Sequence, residues 1–266
     1  MVRPATPSVV RDLRDLLDPL FELAGQSHDV SGSMAGTFCV GNARHGIPRF
    51  VFAGPPAAHE PIRLGLFAGL HGDEPAGCEA LARFLRELAE SPAAAAGYDL
   101  TAYPVCNPTG YEDNTRHNFS GRDLNREFWR GSLQPEVRIL ERELRAHRFD
   151  GIITLHADDT SDGVYGYTHG RVLNEALLRP ALDAGARHLP RDTRPHIDGF
   201  TATEGLICEC FQGVLAAPPG QTPRPFDVIF ETPALAPLPL QVEASVAALH
   251  SILARYRQFI AYGQYL

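Results

Sequence analysis

Apolar residues recur along this chain with two periods, one helical and one strand-like. Leucines at 13, 16, 17, 20 and 23 follow helical spacing and predict a helix over residues 7–25, interrupted by Pro19 and closed by Gly25. TFCVGN (37–42) and RFVFAG (49–54) predict two short strands joined by a turn around Gly46 and Pro48, and IRLGLFAGL (62–70) predicts a buried strand. After the polar HGDEPAG, residues Ala80, Leu81, Phe84, Leu85 and Leu88 form the apolar stripe of a helix over 77–90. YDLTAYPVC (98–106) predicts the next strand. Residues 107–131 carry almost no apolar periodicity, and a polar loop of that length usually serves function or is disordered. A helix over 135–147, a strand GIITLHA (151–157), a helix over 171–188, two strands GLICECF (205–211) and DVIFET (227–232) and a helix from about residue 240 complete the order.

This alternation predicts an α/β fold with a mixed, mostly parallel β-sheet flanked by helices on both faces. A length of 266 residues with 44% hydrophobic content suits a single domain over 1–266, with residues 1–35 as a helical extension packed on it. No internal repeat is present, and AAPPGQTPRP (216–225) reads as one surface loop and not a linker.

Charge and cysteine usage narrow the function. The net charge of −8, with Lys and Arg forming no block, argues against a nucleic-acid partner. No run of eighteen apolar residues could span a bilayer, and the start alternates charge with leucine instead of carrying a signal core, so a membrane-free, cytoplasmic protein is expected. Five cysteines are an odd number in a chain too long to need disulfide staples. Cys208 and Cys210 fit two residues on one face of a strand better than a metal knuckle.

Candidate chemistry lies at the strand ends, because ligands of open α/β sheets collect beyond the carboxyl ends of the strands. His71 and Glu74 follow the third strand, Asn107 the fourth, and His156 and Glu231 end two later ones. Two histidines and a carboxylate are a known ligand set for catalytic zinc, whose fourth position stays open to water. Taken alone, H-x-x-E also describes a chance pair at a helix start, and His156 a satisfied core histidine.

The segment NPTGYEDNTRHNFSGRDLNREF decides between these. It resembles the zinc carboxypeptidase family in its bacterial style, N-P-x-G followed by T-R-x-N-x-x-G-x-D-L-N-R-x-F, matched at Asn107, Pro108, Gly110, Thr115, Arg116, Asn118, Gly121, Asp123, Leu124, Asn125, Arg126 and Phe128. Aspartoacylases and succinylglutamate desuccinylases share a shortened form. The resemblance spans residues 62–232 and implies zinc held by His71, Glu74 and His156, with Glu231 as general base. It further implies that Arg116 stabilises the oxyanion, that Asn125 and Arg126 receive a substrate carboxylate, and that Asp123 orients the first zinc histidine. Glu231 could otherwise be an ion-pair partner, Arg116 a surface salt bridge and Asp123 a loop cap.

The implied activity is hydrolysis of an amide next to a free carboxylate in a small peptide. An N-acyl-amino-acid deacylase is the alternative, and a silent zinc- and carboxylate-binding protein the third reading. Residues 201–230 lack the mobile-loop tyrosine that carboxypeptidases usually place ahead of the catalytic glutamate; Tyr165 and Tyr167 could approach from another side or pack in the core. The 35 residues after Glu231 leave room for one helix but not for the extra β domain of aspartoacylases, which favours the peptidase-like expectation.

Overall fold

The computed structural model describes residues 10–58 and 60–263. Helix α1 (Leu13–Gln26) leads into a hairpin of β1 (Val30–Val40) and β2 (Ala43–Ala53). There follow β3 (Ile62–Ala68), α2 (Pro75–Glu90), β4 (Tyr98–Tyr103), α3 (Pro108–Asp113), α4 (Pro135–His147), β5 (Gly151–Asp158) and β6 (Tyr165–Thr168). The chain continues through α5 (Arg171–Leu173), a π-type segment (Asn174–Leu178), α6 (Arg179–Gly185), the two-residue strands β7 (His196–Ile197), β8 (Phe200–Thr201) and β9 (Leu206–Ile207), then β10 (Phe226–Pro233) and α7 (Leu238–Gly263).

Eight strands form one sheet in the order β1-β2-β4-β3-β5-β10-β6-β9. Its centre, β4-β3-β5-β10, is parallel, while β1, β2 and β6 join antiparallel to their inner neighbours. The sheet is thus mixed and mostly parallel, as expected. Parallel strands buried on both faces read as continuous apolar runs, and β3 and β5 do. On one face α1, α2, α6 and α7 bury Leu66, Leu100, Ile153, Leu155, Val228 and Phe230. Leu81, Phe84, Leu85 and Leu88 of α2 are all fully buried there, each contributing about 1.5–3 kcal/mol relative to exposure. The other face packs on α4 through Phe67, Tyr103, Leu140, Leu144 and Phe149.

Several expectations change. Residues 7–9 of the first helix lie outside the described residues. That helix continues through Pro19 and ends at Gln26, so residues 30–35 belong to β1 and not to a helical extension. The β1–β2 turn falls at Gly41, whose positive φ suits it, while Gly46 and Pro48 lie inside β2. GLICECF yields only two strand residues, because β9 pairs with just Gly166 and Tyr167 of a four-residue strand and otherwise makes one isolated bridge, from Leu206 back to Thr203. Cys208 and Cys210 therefore lie beyond the strand. All five cysteines are free.

Candidate metal centre

The site forms where β3, β5 and β10 end. His71 follows β3, and Glu74 occupies the N-cap position of α2, ahead of Pro75 at the first helical position. Its side chain does not cap the helix. It turns inward: Oε1 lies 2.6 Å from His71 Nδ1, and Oε2 lies 3.0 Å from His156 Nδ1 and accepts from the Ala157 backbone N–H at 3.0 Å. One ligand atom from each of His71, Glu74 and His156 lies within 4.8 Å of the others, and all three residues are buried. Gly72 makes the turn possible, since a Cβ there would meet the Gly110 carbonyl carbon at 1.9 Å.

The long loop without apolar periodicity is built from its own side chains. Asn107 accepts from the Gly110 N–H at the start of α3 and donates to the Leu70 carbonyl, tying this loop to the one carrying His71. Asn118 accepts from the backbones of Ser120 and Arg122 and donates to Glu136. Asp123 is thereby presented to His71 Nε2 at 3.1 Å and to Arg116 at 3.1 Å, while accepting from the Asn125 N–H. Asn125 lies with Nδ2 3.5 Å from His156 Nε2, and its Oδ1 accepts from the Leu215 N–H. Arg126 donates to the Asn125 carbonyl and stacks over the Phe211 ring at 4.2 Å.

Charges on this side are matched. Burial opposes a proton on His71, yet Glu74 and Asp123 raise it to about 9. Burial works against ionising Glu74 and Asp123, but the imidazoles beside them, and for Asp123 also Arg116, hold both carboxyls far below the usual range. His156 is depressed by burial. The donor set fits a divalent metal: two imidazoles and a carboxylate converge, and the outer nitrogen of His71 is fixed by a carboxylate, as ligand histidines require.

Glu231 differs. The parallel register puts it opposite His156, and β6 puts Tyr165 on its other side. Among the described residues no hydrogen bond or ion pair holds it. Burial, then the charges of Glu74 and Asp158, push its carboxyl well above the ordinary value. It faces a cavity of about 300 Å³ that His71, Glu74, Arg116, Asn125, Arg126 and His156 also line. Every sequence-predicted site residue lines this cavity except Asp123, which stands behind His71 and Arg116, and Asn107, whose side chain is spent on the loop backbone.

The opposite wall settles where Tyr165 and Tyr167 lie, which the sequence leaves open, and adds Asp198, Phe211 and Ile229, which the sequence does not single out. Tyr165 and Tyr167 both line the cavity, with hydroxyls donating to Asp158 at 3.0 Å and Asp198 at 2.8 Å. Asp198 sits in the β7–β8 turn, where Asp198 and Gly199 both have positive φ. The D-G pair at 198–199 was the available hairpin signal. Phe211 and Ile229 complete this wall, and neither type of residue announces a role in sequence.

Comparisons with known proteins agree with this architecture. Residues 61–172 match the family model of the succinylglutamate desuccinylase/aspartoacylase catalytic domain, a segment that holds His71, Glu74, Arg116, Asp123, Asn125, Arg126 and His156 but ends before Glu231. The fold is carboxypeptidase-like. A Shewanella denitrificans protein provisionally assigned as a metallopeptidase superposes with a TM-score of 0.76 at 24% identity, covering 91% of this chain and 90% of its own. A provisionally assigned metallopeptidase from Shewanella baltica gives 0.72 at 26% identity, covering 90% and 89%. A Pseudomonas aeruginosa metallo-carboxypeptidase in complex with (2-guanidinoethylmercapto)succinic acid gives 0.68 at 18% identity, covering 91% and 68%. A search of curated protein sequences finds no match. No helix among the described residues is long and apolar enough to cross a membrane.

Proposed function

We propose that this chain is a zinc-dependent hydrolase that cleaves an amide bond next to a free carboxylate in small peptides. The observation that carries the reading is the convergence of His71, Glu74 and His156 within 4.8 Å beside an unpaired Glu231 in one cavity. His71, Glu74 and His156 would hold the metal, which when bound supplies Lewis-acid chemistry that polarises a carbonyl and makes water acidic near neutral pH.

The rest falls to the chain's own residues. Glu231 takes a proton from the attacking water as its oxygen bonds to the amide carbon, then delivers that proton to the leaving amine nitrogen. With no partner among the described residues, the carboxylate is free for both transfers. Arg116, aligned by Asp123, faces the negative charge that grows on the carbonyl oxygen, where a fixed cation is most useful. Asn125 and Arg126 receive the substrate carboxylate, the guanidinium being held flat by Phe211. The succinic acid derivative bound by the Pseudomonas neighbour is likewise an acid. The reading includes a cytoplasmic setting, in which the five free thiols stay reduced.

A second reading, an N-acyl-amino-acid deacylase, is favoured by the family match over residues 61–172. Turnover of a peptide panel against an N-acyl-amino-acid panel, before and after chelation and with zinc restored, separates the two. Peptide cleavage that is lost with chelator and regained with zinc is the expected result. Cleavage of N-acyl amino acids alone assigns the second reading, and turnover of neither panel by zinc-loaded protein rejects both.

A further inference from the structure

The turn between His71 and Glu74 is held from behind by a residue far outside the motif. The two ligands are joined by Gly72 and Asp73, and the turn closes through the Glu74 N–H, which donates to the His71 carbonyl at 3.3 Å. Gly72 approaches the backbone of α3 closely because it has no side chain, but a residue without Cβ is also the one whose backbone is least restrained. The spacing of the two ligands therefore depends on what fixes the Gly72 peptide group.

Among the described residues the Gly72 carbonyl accepts from Arg11 alone, whose Nη1 lies 2.7 Å away. Gly72 is buried, where an unpaired carbonyl is costly and a charged donor makes a bond roughly twice as strong as a neutral one. The same guanidinium reaches α3. Its Nη2 donates to Asn114 Oδ1 at 2.5 Å, Nη1 lies 3.4 Å from the Tyr111 carbonyl, and the group sits over the Tyr111 ring at 5.1 Å. No carboxylate pairs with Arg11 among the described residues, so its donors are spent on the metal loop and the helix behind that loop.

Arg11 is itself placed by the fold. Its backbone N–H donates to the Glu112 carbonyl at 2.9 Å, and it immediately precedes Asp12, the N-cap of α1. Leu17 and Leu20 anchor α1 in the core shared with α2. The matched family segment begins at residue 61, so Arg11 stands outside it. The N-terminal helix, which no motif explains, thereby brings a cation to the back of the turn that carries two ligands.

We propose that Arg11 is a positioning residue for the metal centre: by holding the Gly72 carbonyl it sets the spacing of His71 and Glu74. Arg11 does not line the cavity, so it acts through the turn alone. The inference rests on the metal-hydrolase reading of the cavity and concerns the geometry of the ligands, not the bond that is cleaved.

Zinc affinity and the visible spectrum of the cobalt-substituted full chain test this. Arg11→Met keeps the stem but loses every donor, and should weaken zinc binding about tenfold in competition with a chelating dye, the lower end of what groups that orient ligands contribute. The cobalt d–d bands, which report ligand geometry, should shift in the same variant. Arg11→Lys restores a cationic donor and should bring the affinity back to within about threefold of wild type, with the bands moving back as well. Leu17→Ala loosens α1 without touching Gly72, which separates positioning from packing. It should lower Tm at least as far as Arg11→Met does while leaving zinc affinity and cobalt bands as in wild type. Wild-type affinity and bands in Arg11→Met, or equal changes in Leu17→Ala, overturn the inference. If the zinc-loaded protein cleaves neither peptides nor N-acyl amino acids while Arg11→Met still weakens zinc binding and shifts the bands, the hydrolase reading fails and the role of Arg11 stands. A wild-type chain that binds neither zinc nor cobalt overturns both.

Discussion

The two sides of the cavity treat their charges in opposite ways. On the motif side, Glu74, Asp123, Arg116 and both histidines are locked into a continuous set of contacts between 2.6 and 3.5 Å. Along β10, Glu231 has no partner among the described residues and Asp227 leaves Oδ1 unpaired. Both β10 carboxyls are raised by burial, whereas Glu74 and Asp123 are lowered. Paired groups hold geometry, and unpaired ones are available to a ligand or a proton. The fold supplies the first kind from loops that cap and cross-link themselves, and the second from a strand whose register fixes position without satisfying the side chains.

The contrast breaks most sharply at Glu231. Glu231→Gln preserves shape but cannot accept a proton, so kcat should fall at least about a hundredfold while metal content and melting stay near wild type. Near-normal turnover would remove Glu231 from the mechanism. On the paired side, Asp123→Asn should weaken metal affinity by about 10–100-fold by loosening His71, as read by competition with a chelating dye. An unchanged affinity would make Asp123 a loop cap only. Arg126→Ala should lower kcat/KM for a free-acid substrate by about tenfold, chiefly through KM, because the carboxylate is held in ground and transition states alike. The same compound amidated at that carboxylate should be poor with both proteins. If wild type cleaves acid and amide equally, and Arg126→Ala changes neither, carboxylate recognition lies elsewhere.

The smallest effect concerns stability. The Asp227 carboxyl is raised from 3.8 to about 6 on folding, so ionising it disfavours the folded state. That penalty is absent below about pH 4 and complete above about pH 6. Asp227→Asn should therefore raise stability by roughly 2 kcal/mol at pH 8 and leave it unchanged at pH 4, a difference of a few degrees in Tm. Equal melting of variant and wild type at pH 8 would mean that Asp227 finds a partner in solution.

What the sequence made legible follows the same division. His71, Glu74, Arg116, Asp123, Asn125 and Arg126 lie within 56 consecutive positions, and a pattern that compact survives in one dimension. The central strands were readable because parallel strands buried on both faces are continuous apolar runs. The far wall was legible only as an open question about Tyr165 and Tyr167. Tyr165, Tyr167, Asp198 and Phe211 meet only through strand pairing and a two-residue hairpin, and their short elements give little period to detect. The long loop hid α3 because its order comes from Asn and Asp side chains bonding to backbone, a device without apolar periodicity. The pairing that sets Glu231 beside His156 is a consequence of the β5–β10 register across some 75 residues of intervening chain.

Everything proposed for the cavity depends on His71, Glu74 and His156 forming one metal centre. Its most direct test is metal analysis of the purified protein beside His71→Ala and His156→Ala, each verified as folded by circular dichroism. One zinc per wild-type chain and little or none in either variant is the expected result. Stoichiometric metal retained by both variants would contradict it and move the centre elsewhere in the molecule.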